Sequence, residues 1–156
     1  MRKLNIGLTQ EQRAGVIELL NRDLSDAYLL LIKTKKFHWD VVGPQFRSLH
    51  QMWEEQYQAL TETIDQLAER IRTLGGYPVG TAEGFLKYGS IKEQSNNIPQ
   101  ATEMVAQLVD DHELGRTRTT TSGRSAPHAL RWPGSTRAAD RPYMHACHEC
   151  GPGVHT

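Results

Sequence analysis

Apolar residues recur every three or four positions along three stretches of this chain, the spacing that puts them on one side of a helix. In the first stretch Val16, Leu19, Leu20, Leu24, Ala27, Leu30 and Leu31 keep the period, which runs to about Phe37. Thr9-Gln10-Glu11-Gln12 stands before it and fits a capping box, with Gln12 at the third helical position. In the second stretch Phe46, Leu49, Trp53, Tyr57, Leu60, Ile64, Leu67 and Ile71 form the clearest repeat in the chain. Gly43-Pro44 opens that stretch, with Pro44 suited to a first helical turn, and Gly75-Gly76 supplies a C-terminal cap. The third stretch puts Met104, Val105, Leu108, Val109 and His112 on an inner face. The pattern predicts an all-α chain with helices at about 9–37, 44–74 and 97–114. A further short helix near 81–88 would lie in a connection rich in Gly, Ser, Asn and Pro.

The pattern breaks at Gly115, although Leu108, Val109 and His112 promise another turn. Residues 115–156 hold one Leu, one Val and no Ile or Phe, against six Arg, six Thr and five Gly. Such a segment buries too little apolar area to offset its ordering entropy. The chain therefore divides into a helical domain, 1–114, and an irregular, disordered tail, 115–156, that reads like the frame-shifted 3′ end of a GC-rich gene. Charge follows the same division. The net charge is zero, but residues 1–114 set 12 Lys/Arg against 16 Asp/Glu, and the tail sets six Arg against two acids. The N-terminus leads into no apolar signal segment, and the longest apolar run, 27–32, is too short to span a bilayer. No cysteine precedes Cys147, so no disulfide framework is implied. A soluble, cytoplasmic chain with no membrane partner is expected.

Candidate chemistry concentrates on the second helix. His50, Glu54, Asp65 and Glu69 fall within an arc of about 100° and form two i,i+4 pairs. This polar arc lies directly beside the apolar stripe. The two pairs are about 16 Å apart along the axis, too far for one ion to touch both. Two antiparallel copies could bring the His50/Glu54 end of one helix against the Asp65/Glu69 end of the other. The spacing thus suggests a metal site shared across a symmetric dimer, with His38 just upstream. Imidazoles and carboxylates without thiolate suit iron(II), manganese or zinc, and paired Glu and His ligands recur in di-iron helical bundles. The competing reading is a solvated helix face with ordinary i,i+4 pairs, on which the like charges of Asp65 and Glu69 cost a few tenths of a kcal/mol.

Two blocks carry a family resemblance. His38-Trp39-Asp40-Val41-Val42-Gly43-Pro44-Gln45-Phe46-Arg47-Ser48-Leu49-His50 resembles the signature of the Dps mini-ferritins, the starvation-induced DNA-protection proteins. Thr63-Ile64-Asp65-Gln66-Leu67-Ala68-Glu69-Arg70 resembles that family's second signature, at the family's separation. The resemblance covers about residues 4–114 and implies a ferritin-like four-helix bundle. It implies that His38, His50 and Glu54 are offered to iron by one subunit, and Asp65 and Glu69 by its dimer partner. Glu54 stands where the family usually has Asp. Trp39 matches an aromatic beside the site that takes up stray oxidising equivalents, and packing at an interface would explain it equally. The implied activity is ferroxidase: oxidation of iron(II), preferably by hydrogen peroxide, with the ferric mineral stored inside a twelve-subunit shell. The family's fourth helix and its acidic entry pores find no counterpart after residue 114. That departure predicts an unstable or aggregating chain that does not complete the shell.

Weaker signals remain. Cys147-x-x-Cys150, with His145, His148 and His155 nearby, has zinc-ligand types but lacks a second, well-spaced ligand pair. Gly151 after Cys150 excludes a c-type haem motif. For DNA, Arg2, Lys3 and the tail arginines Arg116, Arg118, Arg124, Arg131, Arg137 and Arg141 offer non-specific phosphate affinity. Lys33, Lys35 and Lys36 read as an exposed helix end. Nucleophile–base pairs and Gly-rich phosphate loops are absent. The expected function is an iron-oxidising, iron-sequestering mini-ferritin that protects DNA from peroxide, impaired by its C-terminus. The alternative is a non-catalytic helical DNA-binding or scaffolding protein without a working metal site.

Overall fold

The computed structural model describes residues 6–94 and 96–122, all helix and connections with no strand among them. The elements are α1 (Gln10–Asp40), α2 (Phe46–Thr73), α3 (Ala82–Tyr88) and α4 (Ala101–Ser122). The Thr9 hydroxyl accepts from the Gln12 backbone N–H at 3.2 Å, and the Thr9 N–H donates to Gln12 Oε1 at 3.0 Å, which is the expected capping box. α1 runs on through His38 to Asp40, because nothing in residues 37–40 opposes a helix. The chain then reverses at Gly43, whose φ of +103° is open to glycine and strained for other residues. Pro44 falls in this turn rather than in α2, and the Phe46 N–H closes the turn on the Gly43 carbonyl at 3.0 Å.

α2 ends as its glycines require. Gly75 takes φ +82°, its N–H donates to the Arg72 carbonyl, and the Gly76 N–H donates to the Ile71 carbonyl, the paired bonds of a Schellman cap. Gly76 also lets α1 approach, since a Cβ there would lie 2.8 Å from Ile17 Cγ2. α4 begins later than the pattern suggested, because Pro99 keeps the residue before it out of helical geometry. It continues past Gly115 to Ser122. A glycine inside a helix costs about 1 kcal/mol but does not stop it, and the next proline is Pro127. The tail beyond Ser122, with its zinc-type cluster and the question of a fourth helix, lies outside the described residues.

α1 is the hub against which α2, α3 and α4 all pack. Leu20, Leu24, Leu30, Trp53, Ile71, Met104 and Leu108 are its best-buried neighbours and members, and Phe37 tilts against Trp53 at 6.1 Å. Polar side chains on α1 grip the connection that follows α2. Asn21 holds Tyr77 and Val79, Asp26 accepts from the N–H groups of Ser90 and Ile91, and Lys36 donates to the Asn97 carbonyl. Lys33 corrects the sequence reading. It is buried and donates to Asp111 of α4 at 2.7 Å and to the Lys92 carbonyl at 3.4 Å. Lys36 is half-buried, paired with Asp40. The stretch is not an exposed helix end because the connection and α4 lie across it.

Candidate metal centre

The tight turn at 41–45 returns the start of α2 to the end of α1. This brings together His38, in the last turn of α1, and His50, early in α2. Their rings stack at 3.6 Å between centroids, 19° from parallel. Each ring also holds the other residue's backbone: His38 Nδ1 lies 2.8 Å from the His50 carbonyl, and His50 Nδ1 lies 2.8 Å from the His38 carbonyl. A carbonyl only accepts, so both Nδ1 atoms carry the proton. In the neutral imidazoles the lone pair is therefore on Nε2. An outer carbonyl bond that fixes ring and tautomer is the usual support of a metal-binding histidine.

Other side chains frame this pair. Phe46 stacks on His50 at 4.9 Å. Tyr57, one turn after Glu54, meets His38 edge-on at 5.3 Å and donates to Glu54 Oε1 at 3.5 Å. Lys35 Nζ lies over the Tyr57 ring, 4.9 Å from its centre. Desolvation first, then the neighbouring Glu54 carboxylate, raises the Tyr57 phenol above its usual value. Glu54 is half-buried on the same face of α2 as His50.

Asp65 and Glu69 are exposed further along the same unbroken helix. Eleven residues from Glu54 to Asp65 are about 16 Å of rise, so these two carboxylates do not join the histidines. Among the described residues, no three His, Cys, Asp or Glu side chains of one chain converge to hold a metal ion. Trp39 is 69% exposed and points away from the packed core. One chain thus places two stacked imidazoles where α1 meets α2, a carboxylate one turn after the second of them, and a carboxylate pair further along α2. The donor types suit a hard or borderline cation such as iron(II). Tyr57 was legible in the sequence only as a member of the apolar stripe. The signal that marks it is its place at the edge of that stripe, next to the polar arc, where an amphipathic tip serves both.

Residues 17–120 match the family model described as the ferritin-like domain. Over 113 residues the chain is 68% identical to an uncharacterized low temperature-induced protein of Nostoc sp., covering 72% of this chain and 63% of that protein. Over 99 residues it is 41% identical to DNA protection during starvation protein 2 of Bacillus anthracis, covering 64% of this chain and 67% of that one. The chain spans about two thirds of the length of these relatives. The fold is similar to the crystal structure of a Dps protein from Vibrio cholerae O1, described as a member of a broad superfamily of ferritin-like diiron-carboxylate proteins. The TM-score is 0.70 at 32% identity, covering 80% of each chain.

Proposed function

Since the chain belongs to the Dps family of ferritin-like proteins, we propose that it takes iron(II) as its substrate, oxidises it with hydrogen peroxide and sequesters the product. The observation that carries this reading is the mutual hold of His38 and His50, which commits both rings to a tautomer with Nε2 available. His38 and His50 bind and orient the ion, and Glu54 offsets its charge. Asp65 and Glu69 of a second copy complete the set, so self-association is part of the activity. Each peroxide takes one electron from each of two iron(II) ions and two protons, and leaves as two waters. Removing both reactants limits hydroxyl-radical damage to DNA in the cytoplasm. Residues 115–156 would weaken the assembly and hold activity below that of a full shell.

Iron-dependent peroxide consumption tests the proposal. The wild-type chain should consume peroxide with iron(II) well above buffer. His50→Ala and Asp65→Ala, on opposite ends of α2, should each fall to the buffer level. A wild-type rate equal to buffer would favour the rival reading, a helical DNA-binding or scaffolding protein without a working metal site.

A further inference from the structure

Tyr57 touches two of the three proposed ligands of its own chain from one position. Its ring edge lies against His38 at 5.3 Å, and its hydroxyl donates to Glu54 Oε1 at 3.5 Å. Lys35 covers the face of the ring at 4.9 Å, so the ring has neighbours from both α1 and α2. Glu54 needs such a partner. A carboxylate on a half-buried helical position has several rotamers, and only some bring an oxygen to an ion held by His50 one turn earlier. A donor at i+3 selects among them, and its aromatic body fixes the donor in turn.

We infer that Tyr57 is a positioning residue of the metal site, holding the Glu54 carboxylate toward the ion that His38 and His50 bind. This rests on the reading of the site as metal-binding. The role is distinct from that of Trp39, which is largely exposed.

Cobalt(II), redox-stable and visible by its d–d absorption, is the probe. Tyr57→Phe keeps the ring against His38 and Lys35 and removes only the hydroxyl. It should weaken cobalt(II) binding by about tenfold, as loss of outer partners typically does, and alter the d–d spectrum, with the melting curve unchanged. In a Glu54→Gln background the same substitution should add no more than about twofold, because the two changes act on one interaction. Wild-type chain that binds cobalt(II), with Tyr57→Phe matching it in affinity and spectrum, overturns the inference alone. So does a full tenfold loss that persists with Glu54→Gln. A wild-type chain that binds no cobalt(II) removes the metal site and this inference with it.

Discussion

His38 is buried and His112 half-buried, and their surroundings set them apart. His38 has a carbonyl at Nδ1 and a second ring stacked on it. His112, on the inner side of α4, is desolvated, and its imidazole falls to about 4. An unfolded imidazole titrates near 6.5. Between those values the unfolded chain carries the extra proton, so the stability contributed by neutral His112 is full above about pH 6.5 and is lost as pH falls toward 4. From pH 7 to pH 5 the loss is on the order of 2 kcal/mol. Urea unfolding at the two pH values should show His112→Leu losing about that much less than wild type, and equal losses would refute the assignment. The candidate site residues could be picked from the two signature blocks, because their identity and spacing are local. The carbonyl bonds that set the tautomers were not, since they exist only once the end of α1 meets the start of α2. Tyr57 was hidden for a different reason: its period matches the core stripe, and period says nothing of a polar tip.

At the level of elements, the three long helices follow the apolar period, and the caps at Thr9 and Gly75-Gly76 fall where turn chemistry predicts. What period could not reveal is how α1 holds the connection between α2 and α4. Lys33 reads as solvent-facing beside Lys35 and Lys36, because its partner Asp111 is 78 residues away. Burial raises the Asp111 carboxyl, with Lys33 opposing, so the pair resists desolvation only as a unit. Lys33→Met alone leaves a half-buried carboxylate without its cation and should cost about 1–3 kcal/mol in chemical denaturation. Lys33→Met with Asp111→Leu should regain most of that. A double variant as unstable as the single one would show that packing, not the ion pair, sets the cost. The late start of α4 and its run past Gly115 have one cause between them: proline constrains its neighbour, whereas glycine only weakens a helix.

For the whole molecule, the distance between the two ends of α2 makes a distinctive demand on stoichiometry. If each site draws histidines from one subunit and carboxylates from the other, co-expressed His50→Ala and Asp65→Ala chains should rescue each other. A mixed dimer keeps one intact site of two, and random pairing makes half the dimers mixed, so about a quarter of wild-type peroxide consumption should return. Two inactive chains that stay inactive when mixed would show that no site is shared between them. Among the described residues no helix is long and apolar enough to cross a membrane.

The clasp between the His38 and His50 rings has a kinetic corollary. Because each ring is tied to the other residue's backbone, an ion of the kind proposed would meet a corner already set in place. Its ordering entropy is spent when the chain folds. On the proposed function, capture would then be limited by how fast the ion sheds its water and by the arrival of the neighbouring copy, and not by any rearrangement of the hairpin.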